Sequence, residues 1–311
     1  MREPVIGLAL GSGAARGWSH IGVIEVLEEE GIRPDIVCGC SIGAYVGAVY
    51  AAGKLAELRK WAEEFAWRQV VGKIDLSFAG GGLISTGFVG HFLDELGIGG
   101  NIEDLDKRFA AVATDYVTGL EEWFETGPLD RGVRASLALP GILAPVRINS
   151  RWFVDGGLVN PVPVSVCRAL GADFVIAVNL NGDLVGRRQA PAAKPGPNAG
   201  SGLIEKALVN LPEGWRPSVA ETVSKYLGSS EQAPSYFDIL ANSINIMQDR
   251  ITRSRLAGEP PHALLVPRLG EMGILDFEEA KKTIEEGRRT AQYALPEIRR
   301  MLVVFGSGDA H

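Results

Sequence analysis

Three glycine-bearing segments of the 311-residue sequence carry groups able to do chemistry. In Gly39-Cys40-Ser41-Ile42-Gly43 a serine stands between glycines two before and two after it, where an apolar run gives way to a small-residue segment. That spacing fits a sharp strand-to-helix turn, whose strained backbone projects the Ser41 hydroxyl as a nucleophile while Gly39 and Gly43 relieve crowding. Gly11-Ser12-Gly13-Ala14-Ala15-Arg16-Gly17 likewise follows an apolar run and opens a helical pattern, so its backbone N–H groups form an anion cradle. Amides near Ser12, Gly13 and Ala14 are expected to face the oxygen that becomes negative when Ser41 attacks an acyl carbonyl. Asp155-Gly156-Gly157 places a carboxylate at a strand end, followed by two residues free to take positive φ. A carboxylate with its ordinary pKa of ~4 is a weak base. Asp155 can serve Ser41 only from a dry pocket that raises its pKa, through a direct hydrogen bond.

Rival chemistries fit less well. A histidine base would come from His20, His91, His262 or His311. In the order serine, acid, histidine, only His262, behind two prolines, and the terminal His311 follow, and neither suits a loop-borne base. A dinucleotide loop would need glycine where Arg16 stands, and Asp35 precedes its strand rather than ending it. The pair Tyr50 and Lys54 mimics a reductase motif but falls too soon after the first loop, so it reads as coincidence.

The elements that must hold these groups alternate as α/β. Residues 5–10, 36–40 and 173–179 are continuous apolar runs of the kind buried on both faces of a parallel sheet. Helical spacing occupies 21–27, and 42–52 reads as a buried helix with Gly53 at its end. Further helices are expected near 55–67, 86–96 and 129–137. Strands follow near 109–116 and 121–125 around a turn at Thr118-Gly119, and again at 151–154. Residues 181–202 are rich in glycine, proline and alanine without periodicity. Helical patterns resume at 203–209, 218–227 and 235–256, followed by a strand at 262–266 and one long helix at 277–302. The expected organisation is a core over 1–180, a flexible insertion over 181–234 that is either disordered or a lid, and an extension over 235–311 packed on the core.

Composition bounds the partners. With 46% hydrophobic and 22% charged residues the chain is ordinary globular material. A net charge of -7 without a basic stripe disfavours nucleic acid and strong docking to anionic lipid. No apolar run approaches the ~18 residues of a membrane span, and the N-terminus lacks the pattern of a signal peptide, so a cytoplasmic location is expected. Cys38, Cys40 and Cys167 read as small buried hydrophobes, with no metal site among them.

Taken in order, Gly11 to Gly17, Gly39 to Gly43 and Asp155 to Gly157 resemble the motifs of the patatin-like phospholipase family, in its compact bacterial members. Ala113-Thr114-Asp115, Pro140-Gly141 to Pro145-Val146 and Asn160-Pro161-Val162-Pro163 support the resemblance, which covers roughly residues 5–180; residues 253–275 also look like the bacterial subgroup. It implies a three-layer α/β fold and a Ser41/Asp155 dyad without histidine, metal or cofactor, acting on ester-linked acyl chains through an acyl-enzyme. The oxyanion and substrate region would comprise Gly11, Ser12, Gly13, Ala14, Arg16 and Ile42, with Gly17, Gly39, Gly43, Gly156 and Gly157 shaping the loops. Ser12 departs from the family's usual glycine. A lipid or acyl-ester substrate is the implied partner, with peripheral membrane contact compatible. An acyltransferase with the same dyad, or a regulatory acyl-lipid-binding protein, are the alternatives, and oligomeric state is not legible.

Overall fold

The apolar runs form the strands of one eight-stranded sheet in the computed structural model, which describes residues 3–65, 84–184 and 236–307. Four strands lie parallel to their neighbours in the order β3 (Arg108–Asp115), β2 (Ile36–Cys40), β1 (Ile6–Leu10) and β7 (Phe174–Val178), and β8 (Ala263–Leu265) joins β7, also parallel. Because both faces are covered, side chains alternate between two apolar clusters. Leu8, Leu10, Val37 and Ile176 pack under helices on one face, whereas Ala9, Cys38, Cys40 and Val175 face the other. The fold is mixed α/β, with a mostly parallel central sheet flanked by helices.

The helices on the first face are α1 (Ser19–Glu29), α2 (Ile42–Ala51), α3 (Leu55–Glu63) and α4 (Gly87–Glu95), joined later by α5 (Leu129–Leu137) and a long C-terminal helix. The second face carries the short α6 (Val164–Ala169). Toward the C-terminus α7 (Tyr236–Gly258) precedes β8, and α8 (Ala280–Ser307) closes the described chain. Glycine lets α8 and α1 touch backbone to backbone. A Cβ on Gly22 would sit 2.0 Å from the Ile284 carbonyl oxygen, and one on Gly287 would sit 2.0 Å from that of Ser19. The C-terminal segment therefore shares both the sheet and the core of the first 180 residues.

An antiparallel lobe completes the sheet. It consists of β4 (Glu121–Phe124), β5 (Val146–Ile148) and β6 (Arg151–Asp155). Its arrangement on β3 decides the position of the site. Strand β4 pairs with Ala111 to Thr114, a stretch that overlaps the partners of β2 (ending at Cys40 opposite Val112) and of β6 (ending at Asp155 opposite Ala113). A strand has two edges, so β2 and β6 must share the edge that β4 leaves free. They run toward each other and meet end to end, one register step apart.

One strand and one α-helix escaped the sequence reading. Strand β5 has three residues, too few for a period to show, and α6 has six behind Pro163, where Val162, Val164 and Val166 alternate like a strand. The helix expected from residue 277 begins as a 3-10 turn over Phe277–Glu279 and continues as α8 through Pro296. The helical patterns at 203–209 and 218–227, and most of the expected insertion, lie outside the described residues. Asn181, assigned to that insertion, is buried. Cys38, Cys40 and Cys167 are buried and free.

Candidate active site

Where β2 stops, the chain turns sharply into α2, and Ser41 takes φ 56° and ψ -124°, a strained conformation for a residue with a side chain. The turn is tight because its flanks lack side chains. A Cβ on Gly39 would lie 2.3 Å from the Gly43 carbonyl oxygen, and one on Gly43 2.1 Å from that of Leu10. Ser136 Oγ, from α5, accepts the Ser41 N–H at 2.8 Å and fixes the turn from below.

Facing it, Asp155 ends β6 and is completely buried. Ser41 Oγ donates to Asp155 Oδ2 at 2.5 Å, and Asp155 Oδ1 accepts the Gly157 N–H at 2.7 Å. The Asp155 backbone is held as firmly, its N–H donating to the Ala138 carbonyl and its carbonyl accepting from Thr114 Oγ1. Ser136 and Ala138, two residues apart at the end of α5, thus grip both partners. Burial raises the Asp155 pKa to about 6, against the lowering effect of the hydrogen bonds from Ser41 and Gly157. The carboxylate is a stronger base than an exposed aspartate and is still ionised at neutral pH.

The first glycine loop lies against the start of α2, since a Cβ on Gly17 would overlap the Ile42 side chain at 2.2 Å. Its amides are not equivalent. Gly11 N–H donates to the Val178 carbonyl and Ser12 N–H to that of Pro161, so neither is free for an oxyanion. This corrects the expectation for Ser12, whose amide is spent in tying the loop to the Asn160-Pro161 turn. The amides of Gly13, Ala14 and Ile42 have no partner among the described residues. Ala14 holds positive φ, 50°, where the loop turns into the 3-10 segment Ala14–Trp18.

The buried Arg16 does not point at the dyad. Its Nε donates to the Gly13 carbonyl and its Nη2 to Asn245 Oδ1 on α7. Burial lowers its pKa to about 10, and Asp276 opposes the shift, leaving a cation that braces the loop. Gln248, also on α7, accepts from Ser12 Oγ and Asn181 Nδ2, both at 2.9 Å. Its Nε2 is the atom nearest a Cβ built on Gly157, at 2.2 Å. Gln248 therefore links the first motif to the third. Sequence reading missed Gln248, Asn245 and Ser136, because polar residues scattered in helical patterns carry no spacing signal of their own.

The rejected alternatives fall into place. His20 is buried with Nε2 on the Gly11 carbonyl at 2.8 Å, and burial lowers its pKa to about 4, so it is neutral and structural. His262 accepts the Val175 N–H on Nδ1 and stacks on Phe174, and His91 lies on α4. Asp35 Oδ2 caps the Ile6 N–H, Tyr50 bonds Glu28, and Lys54 pairs with Glu57. His311 lies outside the described residues.

A serine on a strained turn, a buried carboxylate hydrogen-bonded to it, and a glycine loop whose Gly13 and Ala14 amides have no partner among the described residues come together at the carboxyl ends of a mostly parallel α/β sheet. Residues 8–168 match the family model described as patatin-like phospholipase, and the chain belongs to that family. It is 32% identical to an uncharacterized NTE family protein of Mycobacterium tuberculosis (strain ATCC 25618 / H37Rv) over 94% of this chain and 92% of the relative. A patatin-like phospholipase domain-containing protein 6 of Mus musculus is 34% identical over 56% of this chain and 13% of its own length. Lysophospholipase NTE1 of Candida glabrata is 32% identical over 56% of this chain and 10% of its own. Among solved structures, VipD from Legionella pneumophila shares the fold, with a TM-score of 0.52 at 13% identity over 95% of this chain and 67% of that one.

Proposed function

We propose that this protein is a serine-dependent lipid acyl hydrolase that cleaves ester-linked acyl chains with a Ser41/Asp155 dyad. The single observation that carries the reading is the 2.5 Å hydrogen bond from Ser41 Oγ to a buried Asp155 whose pKa is raised to about 6. Asp155 Oδ2 takes the Ser41 proton as Oγ attacks the acyl carbonyl. The amides of Gly13 and Ala14, with that of Ile42, stabilise the oxyanion. Collapse of the tetrahedral intermediate passes the proton from Asp155 to the departing alkoxide and leaves an acyl-serine. Water then repeats the sequence on the ester, with Asp155 again as base, and releases the fatty acid. The relative named for lysophospholipase activity makes a lysophospholipid the first substrate to offer.

The test is intact-mass spectrometry after treatment with a fluorophosphonate, alongside turnover of a lysophospholipid. Wild type should gain one adduct, Ser41→Ala none, and Asp155→Asn should label slowly, with turnover falling about a thousandfold or more in both variants. Normal turnover by either variant sinks the dyad. Supplying a competing alcohol separates the acyltransferase reading, which requires a new ester rather than free fatty acid alone.

A further inference from the structure

The turn joining β3 to β4 has an unusual surface for a water-exposed loop. Its residues Tyr116, Val117 and Leu120 are 66%, 80% and 65% exposed. Beside them Trp123 and Trp152 are also exposed. Register places these aromatic side chains on one face: Trp123 is opposite Val112, and Tyr116, two pairs of residues further along β3, continues the ladder by donating its N–H to the Trp152 carbonyl.

The backbone of this turn is satisfied from within. Val117 and Thr118 donate their N–H groups to Asp115 Oδ1, Gly119 donates to the Asp115 carbonyl, and Leu120 donates to Thr118 Oγ1. Every amide from 116 to 120 therefore has a protein acceptor, and the tip can leave water without stranding a donor. Arg151 bridges Asp115 at 2.7 Å and Glu122 at 2.8 Å, and Arg255 pairs with Glu121 at 2.7 Å. Arg147, opposite Trp152 in register, lies over its ring at 5.8 Å and has no acid partner among the described residues. In a chain of net charge -7, this lobe thus offers paired acids and a free guanidinium.

We propose that the β3–β4 turn, with Trp123, Trp152 and Arg147, docks on the surface of a zwitterionic phospholipid aggregate. Val117 and Leu120 enter the acyl boundary, the amphipathic rings sit at headgroup level, and Arg147 meets lipid phosphate. Tyr116 stands three residues, roughly 10 Å, beyond the β3 position opposite Asp155, so the docked surface lies at the end of the sheet that carries the dyad. The inference rests on the reading of the site as a lipid hydrolase.

The experiment is cosedimentation of the full chain with phosphatidylcholine vesicles, run on wild type, Ser41→Ala, the double variant Val117→Asp with Leu120→Asp, and Arg147→Glu. Wild type and Ser41→Ala should bind alike, and the double variant should bind about tenfold less or weaker, because two buried apolar side chains are lost. Its thermal midpoint and its kcat/KM on a soluble short-chain ester should match wild type, while turnover of vesicular substrate drops. Arg147→Glu should also weaken binding, and millimolar inorganic phosphate should leave wild-type binding unchanged, separating headgroup from free anion. Unaltered vesicle binding by the double variant overturns the proposal. So does a wild type that ignores vesicles but forms a dimer that the double variant breaks, which would make a second copy the occupant. Vesicle binding that persists while no ester is turned over refutes the hydrolase reading and leaves the docking surface standing.

Discussion

At Asp155, reactivity and stability oppose each other. Its raised pKa means the folded state binds the proton more tightly than the unfolded chain, in which an aspartate titrates near 4. The resulting stabilisation is fully present below about pH 4 and is lost as pH rises through about 6, a change on the order of 3 kcal/mol. Asp155→Asn carries no such charge. Thermal melts should show its stability relative to wild type rising by that amount between pH 4 and pH 8, and a constant difference would disprove the buried charge. In the proposed mechanism the same group must be ionised to accept the Ser41 proton, so kcat/KM should fall below about pH 6 rather than below pH 4. A rate that stays flat down to pH 5 would exclude Asp155 as the base.

At the scale of elements, α7 brings its polar side inward. Gln248, Asp249 and Thr252 are buried beside Ile244, while Ile239, Ile246 and Met247 are exposed, so the inward side of this helix is unusually polar. The polarity makes sense because the helix covers two loops rich in backbone groups rather than an apolar sheet. Gln248→Ala should lower kcat and the rate of fluorophosphonate labelling about tenfold, since Ser12 loses its hydrogen-bond acceptor and Gly157 the side chain packed against it. KM and the acid limb should hold, and Gln248→Glu, which keeps the acceptor for Ser12, should recover part of the loss. A drop in stability with unchanged kcat would reduce Gln248 to a packing residue.

The contrast between α7 and the glycine motifs shows what a sequence makes legible. Ser41, Asp155 and the loop 11–17 stood out because steric demands at tight turns enforce glycine at fixed spacing. The buried runs of β1, β2 and β7 stood out because a two-sided parallel strand must be apolar throughout. Ser136 and Gln248 act through contacts spanning 95 and 236 residues of chain, to Ser41 and Ser12, and no local pattern encodes such a pairing. The Ser12 amide was misassigned for the same reason, its true acceptor being the distant Pro161 carbonyl.

At the scale of the whole molecule, the C-terminal helix is part of the core and not an appendage. A Gly287→Val substitution would drive side-chain atoms into the Ser19 carbonyl and should destabilise the fold by about 3 kcal/mol, measurable by urea titration. Wild-type stability in that variant would show that α8 stands off from α1. No helix among the described residues is long and apolar enough to cross a membrane.

The end-to-end meeting of β2 and β6 along β3 has a consequence for how such a chain can vary. Ser41 and Asp155 are 114 positions apart in sequence, yet the strands that carry them are set one step apart along a single strand that pairs with both. Strand β3 serves as the gauge, and the connections on either side of it are free to lengthen without moving Ser41 from Asp155. Insertions between α2 and β3 should therefore be absorbed as loops at the periphery. A single residue added within β3, between Val112 and Ala113, would set Ser41 and Asp155 on different teeth of the same comb.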